Sequence, residues 1–377
     1  MKKLLFIVNV DWFFLSHRLP IAVEAIRQGY EVHIATNITG GLDQLEKNGL
    51  IVHPLNIHRS HSGVNVIFFE FFEVLSVIRV VTPDVVHLVT IKPVLLGGIA
   101  ARMVSVPAVV SAISGLGFVF VKRGVVARLR RKVIMFLYRL ALGHRSQKVI
   151  FQNIDDQSQL YKFTALTADR SVLIHGSGVD LSLYSMEPLP DGIPTVLLAA
   201  RLLGDKGVRE FVHAAELVNR SVFRANFVLV GEIDPLNPAS IQQRELDGWK
   251  EDGVVECWGY RDDMAQVISS ATIFVLPSYY GEGLPKVLIE AAACGRAVIT
   301  TDHPGCRDAI EDGVTGLLVP VRNADAIANT VLALLDDPQR CEGMGRAGRK
   351  RAEEMFDVKQ VVAEHMAIYK ELLSHAK

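Results

Sequence analysis

The chain has 377 residues, more than one ordinary hydrophobic core holds, so two domains are expected. Half of the residues are apolar and 21% are charged, which excludes an intrinsically disordered protein. The net charge of −1 conceals an asymmetry between the two halves of the chain. Residues 1–180 carry 20 Lys and Arg against 12 Asp and Glu, a balance of +8, whereas residues 181–377 carry 20 against 29, a balance of −9.

The first residues, MKKLLFIVNVDWFF, resemble a signal peptide because two lysines precede an apolar run. The run stops at Asn9 and Asp11, and no A-x-A cleavage site follows it. The first β-strand is therefore expected here.

Residues 1–180 alternate short β-branched runs with helical patterns. Continuous apolar runs of this length are typical of parallel strands that are buried on both faces. Strands are predicted in LLFIVNV, YEVHIAT, LIVHPLNI, DVVHLVT, PAVVSAIS and KVIFQN, with helices near 17–29, 64–81, 93–104, 125–143 and 154–163. This order predicts a doubly wound α/β domain of the Rossmann type.

The predicted helix 64–81 bunches four phenylalanines around two glutamates. Apolar stripes on helices usually face a core, so packing against the sheet is predicted, with contact to lipid as the alternative.

A basic interval follows in the same domain. No Asp or Glu occurs between Asp84 and Asp155, while eleven Lys and Arg do, nine of them in 121–148. Such a stretch suits anionic headgroups or phosphates, although a solvated helix face has the same composition. The missing acids favour an anionic membrane surface or a phosphorylated ligand. Residues 103–121 are uncharged, but their proline and glycines argue against a spanning helix, so a peripheral protein is expected.

The second half of the chain repeats the alternation. Residues 181–194 contain three prolines and little periodicity, and they are predicted as a linker between domains 1–180 and 195–338. The new strands are predicted in TVLLAARL, NFVLVGE, VVECWGY, TIFVLPS, AVITTD and TGLLVP. Two Rossmann-like domains in tandem imply a ligand cleft at the carboxyl ends of their strands. The final helical residues, 339–377, are long enough to pack back on the N-terminal domain.

The four cysteines, Cys257, Cys294, Cys306 and Cys341, have no C-x-x-C or metal-finger spacing. Reduced thiols of a cytoplasmic protein are predicted.

The stretch GEGLPKVLIEAAACG (281–295) places Glu282 beside glycines and Glu290 in an apolar helix. Pro285 suits the first turn of that helix, whose amides, with the glycines before them, suit an anion. Lys286 and Glu290 are then four residues apart, as in an ordinary surface salt bridge. A salt bridge leaves Glu282 unexplained, and the alternative is that Glu290 accepts hydrogen bonds from vicinal hydroxyls such as those of ribose.

Other loops narrow the choice of ligand. Arg201 and Lys206 follow the first strand of the second domain in ARLLGDKG, where they could clamp a diphosphate. The GLG at 115–117 falls short of the G-x-G-x-x-G fingerprint of nicotinamide enzymes. Neither a P-loop nor a D-x-D pair occurs. No metal or other cofactor is therefore expected.

Together these features resemble glycosyltransferase family 4, whose members are retaining transferases with the two-domain GT-B fold. The likeness is densest over 195–320, in AARLLGDKGVREF, FVLVGE, WGYRDDM, FVLPSYYGEGLPKVLIEAAACGRAVITTD and GVTGLLVP. The N-terminal FLSHRLPIAVEA, VTIKPVLLGGIAAR and SGLGFVFVKRG resemble a narrower group. That group consists of bacterial transferases that extend a sugar-diphospho-undecaprenol in O-antigen or glycan assembly.

The resemblance implies catalytic roles. Glu282 would hydrogen-bond a hydroxyl of the donor sugar, and Glu290 would hold the ribose hydroxyls. Arg201 and Lys206 would neutralise the departing diphosphate while the acceptor hydroxyl attacks from the leaving-group face. The donor phosphate would accept the proton, so no protein nucleophile is required.

The resemblance also implies the remaining donor contacts. Backbone amides at Gly283, Leu284 and Lys286 would face the β-phosphate and the sugar. The nucleotide base would be bordered by Gly231, Tyr260 and Arg261.

Acceptor contacts are predicted at the ends of two strands of the first domain. Many family members carry H-x-H after the fourth strand, whereas here His87 is followed by Val89 in the second place. Lys92, with Thr90 beside it, is therefore predicted to contact phosphate or acceptor, and His87 is equally well a satisfied strand histidine.

His17 and Arg18, after the first strand, are further acceptor or phosphate candidates. Their alternative is a capping pair at the surface of a helix.

The predicted function is transfer of a sugar of the N-acetylhexosamine type from a UDP-sugar to a lipid-linked saccharide. The protein is expected at the cytoplasmic face of the inner membrane, whose anionic surface it would bind through 121–148, and no nucleic-acid partner is expected. The alternatives are a family 4 transferase with a soluble acceptor, a UDP-sugar 2-epimerase of similar fold, and a non-enzymatic scaffold subunit. Against the scaffold, the four predicted site residues Glu282, Glu290, Arg201 and Lys206 are all present.

Overall fold

The computed structural model describes residues 1–57, 63–116, 125–235 and 237–375. They form two compact units. Unit 1 comprises Met1–Ser177, Gly281–Gly283 and Val358–Lys377, and unit 2 comprises Gly178–Tyr280 and Leu284–Asp357. The first division follows Ser177, and the predicted linker 181–194 belongs to unit 2.

Unit 1 is a seven-stranded parallel sheet with helices on both faces, as the alternation predicts. Its strands are β1 (Lys2–Val10), β2 (Tyr30–Asn37), β3 (Ile51–Pro54), β4 (Val85–Val89), β5 (Ala108–Ile113), β6 (Gln147–Phe151) and β7 (Ser171–Leu173). Its helices are α1 (Asp11–His17), α2 (Leu19–Arg27), α3 (Leu42–Lys47), α4 (Val64–Val81), α5 (Ile91–Met103), α6 (Val125–Ala141), α7 (Ile154–Phe163) and, from the end of the chain, α14 (Val358–His375). The short elements α1, α3 and β7 were not predicted, because fewer than eight residues give little periodicity.

The strand order is β3-β2-β1-β4-β5-β6-β7, so it reverses between β1 and β4. In open α/β sheets, ligands bind outside the carboxyl ends of the strands at such a switch point. The chain leaves β1 towards Arg18 and leaves β4 towards Thr90 and Lys92. The fold therefore brings three predicted acceptor residues to the edge where binding is expected.

Unit 2 repeats this architecture with six parallel strands in the order β10-β9-β8-β11-β12-β13. The strands are β8 (Thr195–Ala199), β9 (Asn226–Val230), β10 (Glu256–Gly259), β11 (Ile273–Leu276), β12 (Ala297–Thr301) and β13 (Gly316–Val319). The helices are α8 (Val208–Asn219), α9 (Gln243–Glu251), α10 (Met264–Ser269), α11 (Lys286–Ala293), α12 (Ala324–Asp336) and α13 (Pro338–Met355). Its switch point lies between β8, which leads to Arg201, and β11, which leads to α11.

The two C-terminal helices belong to different units. Helix α13 stays in unit 2, whereas α14 packs on α2, β5 and β6 of unit 1. Its buried face includes Val361, Met366, Ile368 and Tyr369, which complete the hydrophobic core on that side of the sheet. The chain thus supplies unit 1 with a helix from its far end.

Helix α4 agrees only in part with the prediction that 64–81 packs against the sheet. Val74, Leu75, Ile78 and Val81 do join the core. The phenylalanines at 68, 69 and 72, however, are 59%, 69% and 48% exposed. Among the described residues, no helix combines the length and the hydropathy needed to span a membrane.

Asp11 fixes the carboxyl edge of the sheet beside β1, a role that no local sequence pattern predicts. Its fully buried carboxylate accepts hydrogen bonds from the backbone N–H of Trp12 at 2.8 Å, Thr39 at 2.7 Å and Gly41 at 2.8 Å. Burial raises the pKa of the carboxyl, but the hydrogen bond from the Thr39 hydroxyl, together with these backbone bonds, outweighs it and holds the pKa of Asp11 below its ordinary value. The carboxylate therefore ties the loop after β2 to the start of α1.

We expect Asp11→Asn to lower the free energy of unfolding by about 3 kcal/mol, because an amide cannot accept on both of its atoms. A depressed pKa adds stability above the unfolded pKa and loses it as pH falls through the folded pKa. The difference between wild type and variant should therefore shrink below about pH 4. Urea unfolding at pH 7 and pH 3 measures it, with the exposed Asp43→Asn as the control. A difference that is independent of pH would contradict this account.

Candidate active site

The two carboxylates of the E-x7-E stretch belong to different compact units. Glu282 lies in the short segment Gly281–Gly283 of unit 1, and Glu290 lies in α11 of unit 2. The two carboxylates of this motif therefore lie in different local environments, and each has its own contacts.

The backbone of Glu282 lies directly against that of Gly115 in the loop after β5. A Cβ atom at Gly115 would lie 2.6 Å from the Cα of Glu282 and 2.6 Å from the carbonyl oxygen of Gly281. Gly115 also has a φ of +102°, which disfavours any side chain. The second glycine of the GLG motif, Gly117, lies outside the described residues. Only a glycine at 115 lets the Glu282 segment pack here.

The backbone amide of Gly283 has a hydrogen-bond partner within the protein, which the sequence did not predict. Its N–H donates to the carbonyl of Ser114 at 3.2 Å, and its carbonyl accepts from Nδ2 of Asn153 at 3.1 Å. The predicted role of this amide towards the β-phosphate therefore conflicts with its bond to Ser114. The hydrogen bonds instead hold the Glu282 segment on the ends of β5 and β6.

Helix α11 begins at Lys286 after Pro285, close to the predicted start, and positions Glu290. The Glu290 side chain is 8% exposed. Its Oε1 accepts a hydrogen bond from the hydroxyl of Tyr184 at 2.9 Å and lies 3.1 Å from Nζ of Lys286. The i,i+4 salt bridge considered from the sequence is therefore present, with a phenol as a further partner.

Tyr184 is a site residue that sequence reasoning missed, because it lies in the aperiodic segment that was assigned as linker. Burial, followed by the neighbouring Glu290 carboxylate, raises the pKa of the Tyr184 hydroxyl, so it stays protonated and donates. The carboxylate is thereby held in one orientation, as a group that binds hydroxyls requires.

Arg201 and Lys206 both follow β8, as predicted. Nη1 of Arg201 lies 2.8 Å from the carboxylate of Asp234, a partner that the sequence did not reveal. Lys206 is 91% buried, and its Nζ lies 5.5 Å from the ring centroid of Tyr280. Gly207 then turns the chain with a φ of +77°, and a Cβ there would lie 2.3 Å from the carbonyl oxygen of Pro277. This close packing fixes the loop that carries both cations.

The residues predicted near the base also gather at the ends of β9 and β10. Gly231 has a φ of +130°, and a Cβ there would lie 1.9 Å from the carbonyl oxygen of Ala200. Tyr260 is 70% exposed. Arg261 pairs with Asp263 at 2.7 Å and lines a depression of about 450 Å³.

Arg18 is the acceptor candidate with the most unusual environment. It is 1% exposed, and Nε has no hydrogen-bond partner among the described residues. Nη1 donates to the carbonyl of His17 at 3.0 Å, and Nη2 lies 3.5 Å from Oγ of Ser114. Burial lowers the pKa of Arg18 to about 10, so the guanidinium remains charged at neutral pH. No carboxylate in the described part of the chain forms an ion pair with it.

His87 lies in the core rather than at the sheet edge. It is fully buried, its Nδ1 hydrogen-bonds to the hydroxyl of Tyr369, and its ring stacks 5.6 Å from that of His365. Burial, together with His365 and Arg18, holds the pKa of His87 well below its ordinary value. Its Nε2 has no hydrogen-bond partner among the described residues, so the ring is only half satisfied, but its place within β4 under α14 fits the alternative of a strand histidine in the core.

Lys92 is already engaged in an ion pair. Its Nζ lies 2.8 Å from Oε1 of Glu70, a carboxylate of α4 that is 99% buried. The predicted contact with phosphate must therefore compete with a structural partner.

Thr90 and His17 flank the same edge. Thr90 adopts φ 74° and ψ 167°, a region that non-glycine residues rarely enter, and its buried Oγ1 has no partner within the described ranges. His17 stacks on Phe13 at 4.1 Å and donates from Nδ1 to the carbonyl of that residue. This contact within α1 agrees with the surface-pair alternative for His17.

The described residues contain no group of three or more His, Cys, Asp or Glu side chains placed to hold a metal ion. The four cysteines are free, and three of them are buried. The predicted donor residues of unit 2 are two cations, Arg201 and Lys206, and one carboxylate, Glu290, and groups of these kinds suit a diphosphate and sugar hydroxyls.

Comparison with known proteins agrees with this chemistry. Residues 3–153 match the family model of glycosyl transferase 4-like proteins, and residues 193–337 match that of glycosyl transferases group 1. Among curated relatives, the N,N'-diacetylbacillosaminyl-diphospho-undecaprenol alpha-1,3-N-acetylgalactosaminyltransferase of Campylobacter jejuni is 27% identical over 96% of this chain and 99% of its own. The UDP-Gal:alpha-D-GlcNAc-diphosphoundecaprenol alpha-1,3-galactosyltransferase of Escherichia coli is 25% identical over 67% of each chain.

A solved structure supports the fold independently. The sucrose-phosphate synthase of Thermosynechococcus elongatus superposes with a TM-score of 0.82 at 21% identity and covers 100% of both chains. The two family models divide the chain almost as the two sheets do, and together they match well over half of it. The chain therefore belongs to the glycosyltransferases, with the GT-B fold and the family 4 type of sequence.

Proposed function

We propose that this glycosyltransferase moves a sugar of the N-acetylhexosamine type from a UDP-sugar to a saccharide carried on a polyprenyl diphosphate. Transfer proceeds with retention at the anomeric carbon and without a metal. The reaction extends a lipid-linked glycan in bacterial surface polysaccharide or glycan synthesis.

The lipid-linked acceptor is supported by the relatives and by unit 1. Both bacterial relatives described above are named for acceptors linked to undecaprenol through a diphosphate, and one of them matches 96% of the chain. The match thus includes the N-terminal half, which carries the excess of basic residues and the long interval without acids.

The burial of Arg18 without a counter-charge is the single observation that best supports a phosphate-bearing acceptor. A guanidinium buried without a counter-charge costs several kcal/mol, and a chain retains one mainly where an anion meets it. A diphosphate fits the planar fork of an arginine, and Arg18 follows β1 at the switch point of the sheet. The acceptor diphosphate is the anion that we assign to it, with Thr90 at the neighbouring strand end.

Unit 2 supplies the donor chemistry. Arg201 and Lys206 stabilise the negative charge that develops on the departing UDP, which is where preorganised cations lower a barrier most. Glu290, oriented by Tyr184, accepts hydrogen bonds from the ribose hydroxyls. Glu282 holds the donor sugar, and the acceptor hydroxyl attacks from the side that the diphosphate leaves.

The site of action is the cytoplasmic face of the inner membrane. The basic segment 121–148, of which 121–124 lie outside the described residues, gives the chain its affinity for anionic headgroups. Each Lys or Arg near such a surface contributes about 1 kcal/mol.

Two alternatives differ from this proposal in their acceptor. A family 4 transferase with a soluble acceptor would keep the donor residues but leave Arg18 without an anion. A UDP-sugar 2-epimerase would need no acceptor, and membership of the glycosyltransferases does not favour it.

The proposal is tested by incubating the protein with a panel of UDP-sugars and synthetic sugar-diphospho-undecaprenol acceptors. Mass spectrometry gives the sugar added, and NMR of the product gives the anomeric configuration. We expect an α-linked product in the presence of EDTA. Transfer only to free saccharides, inversion at the anomeric carbon, or complete loss with EDTA would each overturn the corresponding part of the proposal.

Glu282→Gln and Arg201→Ala should each lower kcat at least 100-fold, because each removes a group that meets the transition state. Glu251→Gln and Arg220→Ala, at exposed positions, are the matched controls and should retain full activity. Steady-state kinetics at saturating acceptor provide the measurement. Near-normal turnover in either site variant would refute its assignment.

Gly115→Ala should lower kcat about 100-fold by displacing the Glu282 segment by roughly 1 Å, with a smaller change in the KM for the UDP-sugar. Gly192→Ala is a matched control, because Gly192 has a φ of +96° but nothing within 4 Å of its Cβ position. A purely structural loss would lower the active fraction, and with it the apparent kcat, while leaving the KM unchanged, so kcat is expressed per UDP-binding site to separate the two causes. Equal activities of the two variants would show that the Gly115 contact does not position Glu282.

Arg18→Gln should raise the KM for the diphosphate-linked acceptor at least 100-fold and leave the Kd for UDP unchanged. With UDP saturating, inorganic pyrophosphate should raise the Tm of the wild type but not of the variant. Arg18→Lys should recover part of both effects, since it keeps the charge but not the fork. An unchanged KM in Arg18→Gln would leave Arg18 a structural residue.

A further inference from the structure

The outer face of α4 is apolar where the surface of a globular protein is usually polar. Its exposed side chains include Phe68, Phe69 and Phe72, and the first and last of these stack edge to face at 4.6 Å. The opposite face of the same helix is buried in the core of unit 1. A helix that is apolar all round is normally enclosed by protein or by lipid.

The acids of α4 do not interrupt this face. Glu70 points inward, where it is 1% exposed and pairs with Lys92 at 2.8 Å. Glu73 accepts hydrogen bonds from Asn56 at 3.0 and 2.9 Å on the side of the helix. The outward stripe therefore carries aromatic groups and no negative charge.

Helix α6 presents a second stripe of the same kind. Leu129, Val133 and Phe136, at helical spacing, are 64%, 52% and 60% exposed. Exposed cationic residues flank them at Arg128, Arg130, Lys132 and Arg139. An apolar ridge bordered by cations is the composition of a helix that lies in the interface of an anionic bilayer.

The two ridges lie on the same face of the sheet, on either side of α5. Helix α5 packs between α4 and α6, and most of its residues are buried. It approaches α6 closely at Gly98, where a Cβ would lie 2.7 Å from the carbonyl oxygen of Ala141. The buried α5 thus separates two exposed apolar ridges, one on α4 and one on α6.

Both ridges lie towards the carboxyl edge of the sheet. Helices α4 and α6 each follow a strand and run back antiparallel to it, so their N-terminal halves lie near that edge. The exposed phenylalanines of α4 are in its N-terminal half, as are Leu129 and Val133 in α6. This is the edge to which Arg18 and Thr90 belong.

We propose that α4 and α6 form a two-ridge docking surface for an anionic phospholipid bilayer, with the phenylalanines of α4 inserted at the level of the acyl chains and the cations of α6 at the headgroups. This inference rests on the proposed function in one respect: the docking surface presents the carboxyl edge of unit 1 to an acceptor whose lipid stays in the membrane. The two helices contribute different forces. The contribution of α6 is screened by salt, and that of α4 is not.

Flotation of the full-length protein with acceptor-free vesicles tests the surface independently of catalysis. We expect binding to phosphatidylcholine vesicles that contain phosphatidylglycerol, with a component that persists at high salt. Phe69→Ser should weaken the partition coefficient about tenfold, and Phe68→Ser/Phe69→Ser/Phe72→Ser should abolish the salt-resistant component. Phe163→Ser, at an exposed phenylalanine of α7, is the matched control and should bind as the wild type does.

Depth is measured with Phe69→Trp and vesicles that carry bromine on their acyl chains. Quenching above that of the wild type is expected for this variant and not for Phe163→Trp. Equal vesicle binding by Phe69→Ser and Phe163→Ser, or no additional quenching at position 69, would overturn the docking surface. A face made for another protein would give the same two negative results.

Activity separates this inference from the proposed function. In detergent, the triple phenylalanine variant should extend a short-chain diphosphate acceptor at the wild-type rate. If the triple variant binds vesicles normally and the wild-type protein still transfers sugar, the docking surface is refuted and the proposed function stands. If vesicle binding depends on the phenylalanines but no lipid-linked acceptor is extended, the function fails and the surface stands.

Discussion

The close packing of two backbones, Gly115 against Gly281 and Glu282, is the constraint on which the site depends. It takes a carboxylate whose sequence neighbours belong to unit 2 and holds it within unit 1. No side chain fits at position 115, so the contact requires a glycine there and does not depend on an attractive interaction. The Gly283 amide and Asn153 then add directional hydrogen bonds. The E-x7-E motif is continuous in sequence, but its two carboxylates are held by different means. Packing against Gly115 holds Glu282, and the hydroxyl of Tyr184 holds Glu290.

A second constraint is the polar cluster beneath α14. Tyr369 hydrogen-bonds to His87, and His365 uses its Nδ1 for the carbonyl of Val361 at 2.7 Å. Burial and the neighbouring Arg18 lower the pKa of His365 to about 3, so both imidazoles are neutral at physiological pH. Arg18 is therefore the one charge in the cluster, and its field adds to the effect of burial in keeping both histidines unprotonated. An anion that neutralises Arg18 relieves a cost that the folded unit otherwise carries alone.

The sequence predicted the strands and the long helices well because buried parallel strands and helices of ten or more residues carry a strong period. It also placed Arg201, Lys206 and Glu290 correctly at strand ends and in a helix, since the switch-point rule depends only on strand order. It could not predict partners. Glu70 with Lys92, Asp234 with Arg201 and Tyr184 with Glu290 are 22, 33 and 106 residues apart. Nothing local distinguishes such pairs from ordinary charged residues.

The exposed phenylalanines of α4 were misjudged for a related physical reason. Hydrophobic periodicity reports which residues avoid water, and it cannot say whether protein or lipid replaces the water. For α4 we propose that lipid does, and the charge asymmetry supports this, because a surface with anionic headgroups attracts the basic half of the chain and repels the acidic half. On the proposed function, the same asymmetry would oppose the long-range approach of a negatively charged UDP-sugar to the acidic half of the chain. Arg201 and Lys206 would then act on the diphosphate only at close range, and their fixed loop between β8 and α8 suits such local action.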